Sequence, residues 1–368
     1  MILFVNILFV VFVFAIIVQL FYAFYFFIRI SFYKQKDNSF SAGVSVIICV
    51  KDEADLLSEN LPSFLDQDYP NFEVIVVDDQ SVDGTKYLLQ DLEKKHFKLK
   101  VVTIDPHVIS RVGKKFALTM GIKTAQHDYI LLTDADCRAQ SKDWITKMTS
   151  SFSEKDIVLG ISPYKKTEGI LNKFIRYDEF MVMLQYVSYA LAKKAYMGVG
   201  RNLAYKKSLF FSVKGFASHI HIPSGDDDLF IKEVATKDNV AIQIHKDADI
   251  ISEPKSSFSE WSYQRKRHIS TSKFYKGIHK KLLFLFPASQ FLFWFSAILL
   301  FVFHPDIILV ASIFSFRIVL YYAIYYPVMK KLRQSDLLII YPIMEFLTLF
   351  VQLFFVLLSS RYKQNSWK

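Results

Sequence analysis

Two carboxylates separated by a single residue, Asp134 and Asp136, follow a short apolar run that begins at Tyr129. Such a run is typical of a buried strand, and open α/β sheets place their ligand sites where strands end. Because positions i and i+2 of an extended chain face the same side, the two aspartates are predicted to hold one hard cation, Mg²⁺ or Mn²⁺, with substrate phosphates. The other interpretation is a solvated acidic turn, and the Asp-x-Asp pattern taken alone favours it.

The elements around this pair alternate between strand and helix. Helices are predicted at about 54–64 and 85–94, a further one begins near residue 113, and a long amphipathic one covers 170–194. The predicted strands, besides the one that ends at Asp134, cover 44–50, 72–77, 98–104 and 157–161. Alternation of this kind up to Asp136 predicts an α/β fold with a parallel, doubly wound sheet.

A second acidic cluster, Asp78 and Asp79, follows the strand at 72–77. Helix capping accounts for Ser81 and Asp83 but leaves Asp78 and Asp79 unexplained. Carboxylates at a strand end can accept hydrogen bonds from a nucleobase or a ribose. No Gly-x-Gly-x-x-Gly pattern joins the first strand to its helix, which argues against a dinucleotide dehydrogenase.

Two lysines, Lys114 and Lys115, lie near the start of a predicted helix. A positive charge is unfavourable at that end of the helix dipole. An anion such as a diphosphate bound there would explain the placement. Ordinary surface lysines are the alternative interpretation.

The apolar residues, 52% of the chain, are concentrated near its two ends. Residues 2–28 carry no charge and exceed the ~20 residues that span a bilayer. They lack the basic flank and small-residue cleavage site of a signal peptide, so a transmembrane helix over 1–30 is predicted. The basic residues that follow, Arg29, Lys34 and Lys36, predict that the middle of the chain is cytoplasmic.

Three more apolar segments, at 282–303, 307–327 and 337–359, form a predicted membrane region over 282–360. The basic residues at 330–333 mark one loop as cytoplasmic, yet three spans would leave the basic C-terminus (Arg361, Lys363 and Lys368) outside. Either one segment lies in the interface or the charge rule fails here. Arg317 and Glu345 are costly in lipid and are expected to pair, as a structural pair or as the lining of an acceptor path.

The net charge of +10 suits a protein on an anionic membrane leaflet. The chain shows no basic stripe with interleaved aromatics, so no nucleic-acid partner is predicted. Cys49 and Cys137 fall on predicted buried strands and are interpreted as reduced core residues of a cytosolic domain.

Seven ordered motifs between Val44 and about Ser272 resemble those of a family 2 glycosyltransferase of the GT-A fold. They are Lys51-Asp-Glu53, Asp78-Asp-Gln-Ser-Val-Asp-Gly-Thr85, Gly113-Lys-Lys-Phe-Ala-Leu118, Thr133-Asp-Ala-Asp136, Gly198-Val-Gly-Arg-Asn202, Gly225-Asp-Asp-Asp-Leu229 and Gln264-Arg-Lys-Arg-His268. The resemblance implies a Rossmann-like, nucleotide-sugar-binding domain over 40–275, with a UDP- or GDP-sugar as donor. It assigns the donor nucleotide to Glu53, Asp79, Asp83, Lys114 and Asp134, and the metal to Asp134 and Asp136.

The resemblance also implies an inverting reaction whose base lies in an acidic pair, here Asp226-Asp227, with Asp227 as the candidate base. Asp228 adds a third adjacent acid, so the choice among the three stays open. Mutual repulsion raises the pKa of at least one of them, which suits a base. A solvated acidic loop is the alternative.

The motif Gln264-Arg-Lys-Arg267-His268 resembles the Gln-x-x-Arg-Trp motif of polysaccharide synthases, with His268 in place of tryptophan. In the family that tryptophan stacks on the acceptor sugar, so the replacement puts processive synthesis in doubt. Gln264, Arg267 and His268 are assigned to the acceptor or the diphosphate, where Arg267 can donate two hydrogen bonds. A membrane-proximal basic anchor is the alternative interpretation.

The apolar segments predict a multi-pass protein of the inner cell membrane, and the family resemblance implies a cytoplasmic, metal-dependent glycosyltransferase domain of hexosyltransferase type. Its acceptor is predicted to be a lipid-linked or membrane-proximal glycan of the cell envelope. A processive polysaccharide synthase is the first alternative, and a transporter or scaffold with a non-catalytic nucleotide-binding domain is the second.

Overall fold

The structure, a computed structural model, describes residues 1–36, 38–105 and 113–359. The chain forms two compact units. The first contains Met1–Tyr33, Glu168–Ala192 and the described residues from Tyr275 onward, and the second contains Lys34–Thr167 and Lys193–Phe274. The basic C-terminal residues, from Arg361 onward, lie outside the described residues.

Nine strands are formed by the described residues of the second unit. They are β1 (Val44–Val50), β2 (Phe72–Asp78), β3 (Leu99–Thr103), β4 (Tyr129–Asp134), β5 (Cys137–Ala139), β6 (Ile157–Leu159), β7 (Leu203–Lys206), β8 (Val240–Ile242) and β9 (Ile250–Ser252). The helices, numbered along the whole chain, are α1 (Ile2–Tyr22), α2 (Ile28–Phe32), α3 (Ala54–Leu65), α4 (Thr85–Lys95), α5 (Lys114–Thr124), α6 (Trp144–Thr149), α7 (Ile170–Leu191), α8 (Lys207–Ser212), α9 (Asp228–Val234), α10 (Phe258–Ser272), α11 (Gly277–Phe303), α12 (Ile307–Lys331) and α13 (Tyr341–Ser359).

Seven of the strands form one sheet in the order β3-β2-β1-β4-β7-β6-β8. The first four are parallel, which confirms the predicted α/β sheet, while β7 runs antiparallel to both β4 and β6. All seven residues of β1 are buried, as expected for an apolar strand between two parallel neighbours. In the register, Val50 lies opposite Asp78 and Cys49 lies opposite Asp134, so both acidic strand ends reach the same edge of the sheet.

In the first unit, three described helical segments are long and apolar enough to cross a membrane: Ile2–Phe32, Gly277–Phe303 and Ile307–Lys331. These confirm the predicted N-terminal helix and two of the C-terminal segments. The third C-terminal segment is a shorter apolar helix over Tyr341–Phe355. Helices α1 and α11 pack through stacked rings, with Phe12 and Phe293 centroids 5.4 Å apart.

Helix α7 belongs to this apolar unit, although the sequence places it within the 40–275 segment. Fifteen of its residues are buried, which is more than the single buried stripe of an amphipathic surface helix. Its buried Arg176 donates hydrogen bonds to both carboxylate oxygens of Asp336 at 2.9 and 2.6 Å and to Gln334 at 2.7 Å. These charge-assisted bonds hold α7 against the segment that follows α12.

The two charges predicted inside the apolar segments do pair. Arg317 donates to both carboxylate oxygens of Glu345, at 2.9 and 2.5 Å, and to Gln19 at 2.7 Å. All three side chains are buried. The Arg317 guanidinium also lies 4.1 Å from the centroid of the Tyr321 ring. This arrangement links α1, α12 and α13 and supports the structural interpretation of the pair.

Removing one partner of this ion pair should destabilise the first unit strongly, because the other charge stays buried without its counter-ion. We expect Arg317→Met to lower the free energy of unfolding by about 3–5 kcal/mol, measured by thermal unfolding in detergent. The double variant Arg317→Met/Glu345→Leu should recover much of the loss, because it buries no charge. A single variant that unfolds at the wild-type temperature would contradict this account.

Candidate active site

The carboxylates at the end of β2 are buried and bind backbone N–H groups. Asp78 accepts a hydrogen bond from the N–H of Ser81 at 3.0 Å. Asp79 accepts one from the N–H of Gly113 at 3.0 Å. Gly113 has a φ of 134°, which favours glycine, and it directly precedes α5. Asp79 therefore fixes the start of the helix that carries Lys114.

Asp83 connects the starts of α3 and α4. Its carboxylate accepts the N–H of Ala54 at 3.1 Å and the N–H of Thr85 at 2.9 Å. Although burial raises the pKa of Asp83, the hydrogen bonds from Thr85 and Ala54 lower it overall. The nearby N–H of Glu53 donates to the Thr85 hydroxyl at 3.3 Å. The structure thus brings Glu53 and Asp83 together, and it supports capping as one role of Asp83.

Lys114 bridges two of the predicted motifs. Its ammonium lies 2.8 Å from a carboxylate oxygen of Asp134 and 3.2 Å from one of Asp226. Burial opposes the charge, but these two carboxylates raise the pKa of Lys114 well above its ordinary value. Asp134 and Asp226 are far apart in sequence, and the lysine joins them across the site.

The two aspartates of the Asp-x-Asp motif occupy different local structures. Asp134 is the last residue of β4, whereas Asp136 lies in the turn that leads into β5. The expectation that both follow one extended strand is therefore wrong for Asp136, because the chain turns immediately after Asp134. The Cys137 thiol donates to the carboxylate of Asp136 at 3.4 Å. Both aspartate side chains are half-buried.

These residues suit a divalent cation that a substrate also binds. Both ligands are hard carboxylate oxygens, and Asp134 already holds a positive group, the Lys114 ammonium. In the described ranges, no group of three or more His, Cys, Asp or Glu side chains is placed to hold a metal ion. Two carboxylates leave coordination positions for water and phosphate oxygens, which is how Mg²⁺ is usually bound.

The three consecutive acids have three different environments. Asp226 contacts Lys114, and Asp228 accepts hydrogen bonds from the Thr271 hydroxyl at 2.5 Å and from the N–H of Leu229 at 2.7 Å. Asp227 accepts the N–H of Gly200 at 2.7 Å and that of Asp228 at 2.7 Å, and its side chain is half-buried. The structure therefore gives each of the three acids a different environment, whereas the sequence proposed Asp227 as the base and left the choice among the three open.

The pKa values of Asp226 and Asp227 also differ. Burial, together with the neighbouring carboxylates of Asp226 and Asp228, raises the pKa of Asp227 to about 7. For Asp226, burial also acts to raise the pKa, but Lys114 holds it below its ordinary value. At neutral pH Asp226 is thus ionised, whereas Asp227 is near its titration midpoint. A pKa close to the working pH suits a general base.

The loop before the acids is held by Lys115. Its buried ammonium donates to the backbone carbonyls of His219 at 2.7 Å and Ile222 at 2.9 Å. Gly225 then has a φ of +92°, and an added Cβ would lie 2.6 Å from the Leu229 side chain. Only glycine fits this turn without strain, and the turn places Asp226 and Asp227 at the start of α9.

Gln264, Arg267 and His268 all lie on α10, whose start is capped by the Ser257 hydroxyl. The Tyr164 hydroxyl donates to the side-chain oxygen of Gln264 at 3.4 Å, and the Arg201 guanidinium lies 4.7 Å from the Tyr164 ring centroid. The Ser224 hydroxyl donates to the Arg267 backbone carbonyl at 3.5 Å. The helix is thereby tied to the loops around the acids.

The His268 side chain is exposed, unlike its neighbours Gln264 and Arg267, which are half-buried. Tyr164 and Thr271, which belong to none of the sequence motifs, connect the motifs here. Neither residue belongs to a recognisable pattern, and only the fold brings them next to Gln264 and Asp228. By contrast, Arg201 and Gly200, whose N–H donates to Asp227, belong to the sequence motif Gly198–Asn202.

Residues 45–211 match the family model described as Glycosyl transferase family 2. The matched segment runs from the second residue of β1 into α8 and includes the Asp-x-Asp turn, and this match confirms the resemblance that the ordered motifs predicted.

Among curated proteins, the chain is 32% identical over 139 residues to the putative teichuronic acid biosynthesis glycosyltransferase TuaG of Bacillus subtilis, covering 37% of this chain and 53% of that one. It is 34% identical over 94 residues to the poly-beta-1,6-N-acetyl-D-glucosamine synthase of Staphylococcus epidermidis, covering 26% of this chain and 22% of that one. The matches therefore span about half of the first relative and about a fifth of the second.

Among solved structures, the chain resembles the mannosyltransferase PcManGT of Pyrobaculum calidifontis, in complex with GDP-Man and Mn²⁺, with a TM-score of 0.60. The identity is 18%, and the match covers 93% of this chain and 98% of that one. At this identity the similarity shows the GT-A fold.

Proposed function

We propose that the protein is a membrane-bound, inverting glycosyltransferase that moves a sugar from a nucleotide-sugar donor to a lipid-linked or membrane-proximal glycan acceptor. The observation that carries the proposal is the convergence of three separate motifs of the family 2 domain. Lys114 contacts both Asp134 of the Asp-x-Asp turn and Asp226 of the acidic pair, and Asp227 lies next to Asp226. Donor-binding and proton-accepting groups are thereby adjacent.

The acidic pair supplies the base. Asp227 takes the proton from the acceptor hydroxyl while that oxygen forms a bond to the anomeric carbon. The bond from the anomeric carbon to the diphosphate oxygen breaks in the same step, and the nucleoside diphosphate leaves with the electron pair. A single displacement inverts the anomeric centre. The hydrogen bond from the Gly200 N–H orients the Asp227 carboxylate. The neighbouring Asp228 carboxylate instead accepts a hydrogen bond from the Thr271 hydroxyl.

The donor is assigned to the strand ends of β1, β2 and β4. Glu53, Asp79 and Asp83, at or just after the ends of β1 and β2, would bind the nucleoside, and Asp134 and Asp136 would hold a divalent cation. Mg²⁺ or Mn²⁺ there would stabilise the negative charge that develops on the leaving diphosphate. Lys114, and Arg267 on α10, add positive charge for the same group.

The apolar unit supports a membrane location with the catalytic domain on the cytoplasmic side. Basic residues lie where α2 ends, where α11 begins and where α12 ends, at Arg29, Lys280, Lys281, Lys330 and Lys331. The short connection between α11 and α12, His304 to Asp306, contains no lysine or arginine. This asymmetry agrees with the positive-inside rule for a catalytic domain in the cytoplasm.

A processive polysaccharide synthase is the second candidate, because one relative is named as a synthase and Gln264 begins a synthase-like motif. His268 weighs against it, since an exposed imidazole provides a smaller stacking surface than the family's tryptophan. Product length separates these two functions.

The proposal is tested with the full-length protein purified in detergent. A panel of UDP- and GDP-sugars is incubated with a membrane lipid extract, with and without Mn²⁺, and released nucleotide and glycosylated products are measured. We expect cation-dependent turnover of one donor and addition of one sugar to a lipid. A ladder of products would select the synthase. No turnover of any donor by folded protein, with any extract, would contradict the proposal.

The pH dependence of transfer should follow the Asp227 carboxylate. Because the pKa of Asp227 is raised to about 7, the base is protonated and inactive below that pH. We expect kcat/KM to fall about tenfold per pH unit below pH 7 and to level off above it. Nucleotide binding measured over the same range is the control, and a flat profile between pH 5 and 8 would contradict the assignment.

A further inference from the structure

The Lys114 ammonium lies beside Asp134, where the proposed reaction needs a divalent metal ion. Its ammonium is 2.8 Å from Asp134, the strand-end ligand of the Asp-x-Asp turn, and only 19% of its side chain is exposed. A carboxylate oxygen of Asp226 also lies 3.2 Å from the Lys114 ammonium. The charge of Asp134 is therefore already neutralised by a residue of this chain.

The lysine is held in this place by its neighbours. Gly113, the residue before it, donates its N–H to the buried carboxylate of Asp79, so the start of α5 is fixed to the end of β2. Lys115, the residue after it, is bound to the carbonyls of His219 and Ile222. The backbone on both sides is anchored, while the long Lys114 side chain keeps the freedom to move between acceptors.

We propose that Lys114 is an internal counter-ion that competes with the divalent cation for Asp134, so that the cation binds tightly only together with the donor diphosphate. The inference rests on the proposed function. Two like charges a few ångströms apart repel strongly in a half-buried site, so the ammonium and the metal ion cannot share Asp134 without cost. A diphosphate offers the lysine a new anionic partner and offers the cation additional oxygen ligands.

This competition makes the binding of the cation depend on the binding of the nucleotide. Cation and nucleotide bind with positive coupling, and the coupling is reciprocal, so each raises the affinity of the other. When Lys114 leaves Asp134, it keeps its contact with Asp226 and turns its charge toward the donor. Lys114 is thus a positioning residue between the metal ligand and the acidic pair, and the protein binds a cation only weakly in the absence of substrate.

The test measures Mn²⁺ binding to the full-length protein by electron paramagnetic resonance, with and without UDP or GDP. Lys114→Met removes the charge but keeps most of the side-chain volume, and Lys114→Arg keeps the charge. Lys193→Met is the matched control, because it removes an exposed lysine from a surface ion pair with Asp238. Circular dichroism and thermal unfolding establish that each variant is folded.

We expect Lys114→Met to bind Mn²⁺ alone about tenfold more tightly than the wild type, and to show a smaller increase in affinity when nucleotide is added. Lys114→Arg and Lys193→Met should bind Mn²⁺ alone as weakly as the wild type. Equal Mn²⁺ affinity of Lys114→Met and wild type would overturn the inference, whatever the transfer activity. Tighter binding by Lys114→Met, with no nucleotide effect in the wild type, would support the competition for Asp134, but it would overturn the coupling to the diphosphate and count against the proposed donor site.

Discussion

Asp227→Asn is expected to reduce sugar transfer by about 10³-fold while leaving the binding of nucleotide diphosphate close to that of the wild type. The amide is nearly isosteric and keeps an oxygen that accepts the Gly200 N–H, but it cannot take a proton from the acceptor hydroxyl. The measurement is transfer from the donor identified in the panel, together with nucleotide affinity for the same preparation.

The neighbouring acid provides the matched control. Asp228 accepts hydrogen bonds from Thr271 and Leu229, so Asp228→Asn should lower the unfolding temperature and keep transfer within about tenfold of the wild type. If Asp227→Asn kept more than a tenth of the activity, or if Asp228→Asn were the more damaging change, the base would be misassigned.

The second large effect is expected at the strand end of β4. Asp134→Asn removes one negative charge from the proposed cation site and one of the two carboxylates that contact Lys114. We expect transfer to fall by about 10³-fold, which corresponds to losing several kcal/mol of transition-state stabilisation. Nucleotide affinity should also lose its dependence on Mn²⁺.

An exposed aspartate serves as the control for the loss of charge. Asp238 pairs with Lys193 at the surface, and Asp238→Asn should leave both transfer and the Mn²⁺ dependence unchanged. An Asp134→Asn variant with the wild-type response to Mn²⁺ would show that the cation binds elsewhere or takes no part in the reaction.

Much of the fold could be predicted because its strands are short, apolar and separated by helical segments. The predicted strands 44–50 and 72–77 agree with β1 and β2 to within one residue, and the helix predicted over 54–64 is α3. The parallel order follows from strand–helix alternation, since parallel neighbours need a crossover connection. The antiparallel β7 could not be predicted, because nothing in its four residues reports which strand they pair with.

The packing partner of helix α7 could not be predicted from the sequence. Its sequence is apolar enough for burial, but periodicity does not report which unit a helix packs against. The contacts that decide this, from Arg176 to Gln334 and Asp336, join residues about 160 positions apart. The pairing of Arg317 with Glu345 was predictable, because two opposite charges in apolar segments have few other ways to be satisfied.

The candidate site was predicted as a set of motifs, and its internal geometry was not. The residue types at Asp134, Asp136 and Asp226 to Asp228 indicated carboxylate chemistry. The bridge from Asp134 through Lys114 to Asp226 could not be anticipated, because the three residues come from separate elements. Likewise, Asp228 is distinguished from Asp227 by contacts with distant residues: Thr271, 43 positions along the chain, donates to Asp228, whereas the N–H of Gly200 donates to Asp227.

The most direct test of the account is the binding of UDP and GDP to the purified full-length protein, because it needs no knowledge of the acceptor. Isothermal titration with and without Mn²⁺, for the wild type and for Asp134→Asn, measures the proposed donor site itself. The account predicts that one nucleotide diphosphate binds the wild type far more tightly with Mn²⁺, and that Asp134→Asn loses this gain. Folded wild-type protein that binds neither nucleotide, with or without the cation, would contradict it.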